Sequence, residues 1–296
     1  MTSTTAEPLF EVHCQLGEGP LWHPFENRLY WVDITAQDLY RSNPDLTGVE
    51  HFHFNTTIGA FGFRKEGGLI LATGKGFAWW QIGDSEPHFF WNPLPVERPA
   101  VRMNDGKVDP SGRFWAGGID SAQSEAELYR VDPDGGQHTL LCQVGISNGL
   151  GWSPDQNIMY YTDSKRSTIY TFEYFAESGG ITHQRPFVQL PQDDRGIVPD
   201  GLCVDAEGCI WSAHWNGWRV VRYSPQGEVL LTVELPVQRP TSCCFGGERN
   251  DQLFITSSRL GFSEAELENQ PHAGDVFVLQ TDTQGQATHF FGVSQG

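Results

Sequence analysis

The sequence contains no apolar run approaching 18 residues and no leader of charged, apolar and small residues, so neither a membrane span nor a secretory signal is expected. No basic run is long enough to track a phosphate backbone. With 37 acidic residues against 19 basic ones and a formal charge of −18, nucleic acid is not expected as a partner. Cysteines are few: Cys14, Cys142, Cys203, Cys209, Cys243 and Cys244 are scattered without CxxC spacing, which predicts reduced, mostly buried thiols in a cytoplasmic protein. A GxSxG elbow, an HExxH helix and a Walker-type glycine loop are all missing, which argues against a serine hydrolase, a zincin and a nucleotide enzyme. Long helix-period patterns are almost absent as well. Glycine (33), proline (18) and 12% aromatics fit a chain that turns every few residues.

What is present is a repeat. NDGKVDPSG from Asn104, NGLGWSPDQ from Asn148 and DGLCVDAEG from Asp200 share one pattern: an opening Asn or Asp, a glycine, a short apolar segment and a turn. Alignment on Val108, Trp152 and Val204 recruits EGPLWHPFEN from Glu18, GAFGFRKEG from Gly59 and TSCCFGGERN from Thr241, giving steps of 41, 45, 44, 52 and 41 residues. That period accommodates four short strands, the content of a propeller blade. The second strand of each unit is legible as LYWVD, LILA, RFWAG, IMYYTD, CIWSA and QLFIT, all rich in aromatic or aliphatic residues. The expected fold is all-β, a single six-bladed propeller over residues 1–296 with four antiparallel strands per blade around a central channel. Residues 1–7 read as a polar, frayed start. LFEVHCQL from Leu9 reads as an extra strand that closes the last blade beside DVFVLQ and ATHFFGV.

In a propeller the innermost strands line the channel, so equivalent positions form a ring. Here that ring is Glu18, Gly59, Asn104, Asn148, Asp200 and Thr241. Two carboxylates converging in a channel repel each other and raise a pKa unless a cation lies between them. Glu18, Asn148 and Asp200 are therefore candidate ligands of one divalent cation, calcium first, with magnesium, manganese or zinc as alternatives. The other reading of the same residues is as strand-start caps that hold channel water. The turn after each second strand returns to the same mouth, which puts Asp33, Asp120, Ser121, Asp163, His214 and Trp215 on the rim. Asp120 is a candidate substrate contact among them.

Five stretches together resemble one family: LGEGPLWHP from Leu16, VRMNDGKVDPSGRFWAG from Val101, SNGLGWS from Ser147, PDGLCVDAEG from Pro199 and TSCCFGG from Thr241. The chain is similar nearly end to end to the senescence marker protein (regucalcin) and gluconolactonase family of sugar lactonases. The resemblance implies a channel metal held by Glu18, Asn148 and Asp200 and hydrolysis of a sugar lactone. It also implies that Arg102 and Asn104 bind substrate oxygens, with Asp105 nearby. Two departures bear on substrate rather than reaction type. Gly117 to Ser121 replace a Gly-Thr-Met pattern followed by a substrate-contacting Glu, and Gly151 stands where animal relatives carry Asp.

The expected chemistry is metal-dependent hydrolysis of a small-molecule sugar lactone, with the cation as Lewis acid and Asp200 as general base. Two other classes fit the same channel: an organophosphate or phosphoester hydrolase, and a calcium-binding propeller without turnover. The protein is expected as a monomer or weak homo-oligomer.

Overall fold

The computed structural model describes residues 2–98, 100–120 and 122–292. It is a six-bladed β-propeller. Blade 1 comprises Gly17–His23, Arg28–Asp33, Asp38–Ser42 and Val49–His53; blade 2, Ile58–Phe63, Leu69–Thr73, Gly76–Trp80 and His88–Trp91; blade 3, Arg102–Val108, Phe114–Ile119, Ala126–Val131 and Gln137–Val144. Blade 4 comprises Ser147–Trp152, Ile158–Asp163, Thr168–Phe175 and Gly180–Gln189; blade 5, Val198–Val204, Ile210–Trp215, Arg219–Tyr223 and Val229–Glu234; blade 6, Pro240–Gly246, Gln252–Ser257 and Val276–Gln280. The six repeat openings in the sequence thus fall on the six innermost strands.

The turn that closes each first hairpin explains part of the repeat. In blade 3, Asp109 Oδ1 accepts the backbone N–H groups of Ser111 and Arg113 at 2.9 and 2.8 Å, and Oδ2 accepts the indole N–H of Trp115 at 3.0 Å. In blade 5, Asp205 makes the same set with Glu207, Cys209 and Trp211 at 3.0, 2.9 and 2.9 Å. The spacing Asp-x-x-Gly-x-x-Trp thus serves a buried carboxylate that orders a turn and satisfies a buried indole. Gly112 and Gly208 supply the left-handed conformation in these turns, each with φ +82°. Trp115 and Trp211 are fully buried, and hydrophobic clusters fill the space between neighbouring blades, such as Trp115, Trp152 and Tyr174 between blades 3 and 4.

The chain ends differ from the sequence reading. The closing strand is Glu7–Phe10, not the whole LFEVHCQL stretch from Leu9, and it pairs antiparallel with Val276–Gln280 as the outer strand of blade 6. The segment read as frayed forms Thr2–Thr5, a parallel fifth strand on Val229–Glu234 of blade 5. Residues 287–292 of ATHFFGV form no blade strand. Residues 284–292 cross the far end of the channel and bond to all six blades. Gln286 Nε2 donates to the Trp152 carbonyl, Thr288 Oγ1 to that of Trp22, Phe291 N to that of Phe63 and Gly292 N to that of Gly112. Asn250 Nδ2 donates to the Gly285 carbonyl, and Ala206 N to that of Gln284. The channel is therefore covered at one end and open at the other. No helix among the described residues is long and apolar enough to cross a membrane.

Candidate active site

At the open end, a cavity of about 300 Å³ is lined by Glu18, Arg102, Asn104, Asn148, Ser164 and Asp200, with Leu16, Ile119, Ile146, Val198, Trp215 and Leu260 around them. Its size is at the small end of small-molecule sites. The polar residues come from the first strands of blades 1, 3, 4 and 5 and from the turn after Asp163. Close approach of these inner strands depends on glycine. A Cβ on Gly149 would stand 2.7 Å from the Asp200 carbonyl oxygen, and one on Gly201 would stand 2.2 Å from Ser242 Oγ. The Asn-Gly and Asp-Gly pairs of the repeat thus combine a channel donor with the gap that lets the next blade pack behind it.

A hydrogen-bond chain runs around the floor. Arg102 Nη1 donates to Asn104 Oδ1 at 2.8 Å, Asn104 Nδ2 donates to Asn148 Oδ1 at 2.7 Å, Asn148 Nδ2 donates to Ser164 Oγ at 2.8 Å, and Ser164 Oγ donates to the Pro199 carbonyl at 2.6 Å. Each amide is thereby fixed in orientation, and Asn148 Oδ1 is held on the side of Asn104. Glu18 Oε2 accepts the Gly19 N–H at 3.0 Å.

Both cavity carboxyls are buried, with Glu18 6% and Asp200 5% exposed. Burial pushes the pKa of Glu18 well above the usual carboxylate range, and the charges of Asp200 and Asp105 add to the effect against the opposing Gly19 N–H and Arg102. Asp200 is raised in the same way, first by burial and then by Asp105, against the Gly201 N–H and the Asn148 amide. Asp105 lies outside the cavity lining, buried beside it, and accepts the Gly106 N–H at 2.7 Å. Burial raises its pKa, with Lys107 in opposition.

This donor set fits a hard divalent cation. Two buried carboxylates and an amide oxygen face a common space, neither histidine nor cysteine lines it, and Arg102 brings the only cationic side chain of the lining. Elsewhere, Asp205, Glu207 and Cys209 bring ligand-type atoms within 4.8 Å of one another. Arg222 already supplies positive charge there, at 2.7 Å from Asp205 and 2.6 Å from Glu207, so that cluster is an ion-paired turn.

The rim residues divide. Trp215 lines the cavity. Asp120 does not: its carboxylate accepts Arg98 Nη1 at 2.7 Å and the Gln123 N–H at 3.0 Å, which orders the loop after blade 3's second strand. Asp33 accepts the N–H groups of Gln15, Leu16 and Ala36, and Asp163 those of Gly145 and Ile146, so both tie down connections between blades or strands. His214 is buried between Arg219 and Tyr223, and Ser121 lies outside the described residues. Sequence reasoning missed Ser164 and the aliphatic members of the lining. The available signal was strand period, since Leu16, Ile146 and Val198 each stand two residues before a channel donor.

Residues 16–259 match a family model described as the SMP-30/Gluconolactonase/LRE-like region. The chain is 37% identical over 285 residues to regucalcin of Danio rerio, covering 94% of this chain and 95% of that protein. Its fold superposes on a calcium-binding protein, regucalcin, from Agrobacterium tumefaciens with a TM-score of 0.92 at 23% identity, over 99% of this chain and 100% of that one. A gluconolactonase from Xanthomonas campestris aligns with a TM-score of 0.71 at 21% identity, over 92% and 88% of the two chains.

Proposed function

The chain belongs to the SMP-30/gluconolactonase/LRE-like family, and from that membership we propose that it is a divalent-metal-dependent lactonase that opens sugar-type lactones to hydroxy acids. The observation that carries the reading is the convergence of two buried, mutually repelling carboxyls and an oriented amide on one cavity, beside an arginine with free donors. The names of the neighbouring calcium-binding regucalcin and gluconolactonase support it.

Glu18, Asn148 and Asp200 would hold the cation. When bound, it supplies Lewis-acid polarisation of the lactone carbonyl. Asp200 accepts a proton from water as the water oxygen bonds to the carbonyl carbon. The ring C–O bond then breaks and the departing ring oxygen takes up the proton, so one water is consumed per lactone opened. Arg102 has five N–H donors, two of them directed from Nη1 to the Met103 carbonyl and Asn104 Oδ1. Its remaining three meet no partner among the described residues and orient substrate oxygens. Asn104 holds that guanidinium in place and fixes Asn148 in turn, which limits unproductive poses.

A second reading, a phosphotriester hydrolase, draws on the apolar part of the lining. One assay tests both: protein stripped with a chelator is resupplied with calcium, magnesium, manganese or zinc and offered glucono-δ-lactone and a neutral phosphotriester. Lactone opening above the spontaneous rate that vanishes with chelation is expected. No acceleration of glucono-δ-lactone with any cation would remove the sugar-lactone reading, and faster turnover of the phosphotriester would replace it.

A further inference from the structure

Strand periodicity builds a second ring above the oxygen donors. Side chains two residues apart share a face of a strand, so the layer above the floor is drawn from Leu16, Thr57, Arg102, Ile146, Val198 and Arg239. Of these, Leu16, Arg102, Ile146 and Val198 reach the cavity. Arg239 turns away: its guanidinium lies over the rings of Trp215 and Phe262, at 4.9 and 3.9 Å, and donates to Asn216 Oδ1 at 2.8 Å and to the Leu260 carbonyl. It thereby props Trp215 and Leu260 against the mouth. Ile119 and Trp215 are the cross-strand partners of Arg102 and Val198, which places them in the same layer. Backbone bridges between blades, Ile119 with Ile146 and Leu16 with Ser258, make the wall a fixed surface.

The polar groups of this cavity are concentrated at its floor and are largely engaged with one another. Both amide hydrogens and the oxygen of Asn104 have partners and Ser164 Oγ both donates and accepts, so that among the described residues the groups left to meet a ligand are the Glu18 and Asp200 carboxylates, the remaining Arg102 donors and the Trp215 indole N–H. A lactone with a hydroxyl on every ring carbon would press several of them against aliphatic and indole surface, and each hydroxyl that loses water without a replacement costs roughly tenfold or more in affinity. An alkyl substituent gains by the same contact, about fourfold for each methylene buried.

We propose that the preferred substrate is a δ- or γ-lactone with an apolar substituent, its carbonyl end on the polar floor and its alkyl group against Leu16, Ile119, Ile146, Val198, Trp215 and Leu260. This rests on the lactone-opening chemistry proposed above and places an alkyl lactone ahead of the sugar lactone as the preferred substrate of that same site.

The test is kcat/KM of the cation-supplied protein on glucono-δ-lactone, δ-valerolactone, δ-hexalactone and δ-octalactone, corrected for spontaneous opening. The expected result is a rise of about fourfold per added methylene, with the alkyl lactones exceeding glucono-δ-lactone at least tenfold. Trp215→Ala should lower the octalactone-to-gluconolactone ratio tenfold or more. Leu260→Ser should lower it severalfold; Leu260 is 38% exposed, so this variant keeps the test open if Trp215→Ala fails to fold. Faster opening of glucono-δ-lactone than of the alkyl series, or a ratio unchanged in both variants, would overturn the substrate class and leave the lactonase reading standing. Opening of none of the four would overturn both.

Discussion

Asp200 is asked to do two things that oppose each other. As a ligand it must carry charge, and a bound cation lowers its pKa and weakens it as a base; as a base it must accept a proton from water. Its surroundings temper the conflict, because burial and the neighbouring Asp105 raise its pKa while the Gly201 N–H and Asn148 lower it. Replacement by asparagine separates the roles, since Asp200→Asn keeps an oxygen donor of nearly the same shape and loses both the charge and the proton acceptor. If the base assignment holds, turnover falls on the order of 10²-fold or more and saturating cation does not restore it. Recovery to near the parent rate at high cation would make Asp200 a ligand alone. The floor residues Glu18, Asn104, Asn148 and Asp200 were legible as one constellation because a repeat register fixes which side chains share a ring, whereas Arg102, one layer above them, was marked by the family resemblance. The wall was not, because Leu16, Ile146 and Val198 carry no chemistry that marks them individually, and Asp120 was drawn toward the site by its position while its carboxylate is held by Arg98.

The hairpin of Ile210–Trp215 and Arg219–Tyr223 in blade 5 shows how an element can carry a titrating group without bringing it to the cavity. His214 is 1% exposed. Arg219 Nε donates to its Nδ1 at 3.1 Å, so the ring proton sits on Nε2, 3.1 Å from the Tyr223 hydroxyl. Burial, aided by the Arg219 charge, lowers its pKa to about 3. In the unfolded chain the value returns to about 6.5. Below that pH the unfolded state binds a proton that the folded state does not, so stability is full above about 6.5 and falls as pH drops toward 3. Between pH 7 and 5 the loss from this one group is about 2 kcal/mol. Urea unfolding at pH 7, 6 and 5 should show that excess loss in the parent relative to His214→Gln, which has nothing to titrate. Parallel pH dependences in the two proteins would mean that His214 is already charged in the fold. This element was readable as a strand from CIWSA, but the inward direction of His214 was not, because alternation alone does not say which face of an inter-blade strand meets a neighbour.

At the scale of the whole molecule, closure of the ring rests on both ends of the chain, and the two ends work differently. The N-terminal strands Thr2–Thr5 and Glu7–Phe10 add to sheets that already exist, and their pairing is largely backbone to backbone. That is why a polar stretch such as TSTT gave no apolar signal of its role. The C-terminal segment, expected as a strand of the last blade, sends its bonds to six different blades instead of one neighbour. Its bonds reach all six blades, and Phe291 is buried at 7% exposure against the core between blades 2 and 3. A chain ending at Thr283 keeps every blade strand but loses that buried phenylalanine and the bonds to all six blades. The buried aromatic alone accounts for about 3–5 kcal/mol. Since about 1 kcal/mol shifts Tm by roughly 2–4 °C in a domain of this size, the midpoint should fall by about 10 °C. Far-ultraviolet circular dichroism at 20 °C should stay that of the parent, because the lost segment contributes no blade strand. A midpoint within 2 °C of the parent's would mean that the six blades hold one another without the strap, and that ring stability resides in the blade interfaces and the N-terminal closure alone.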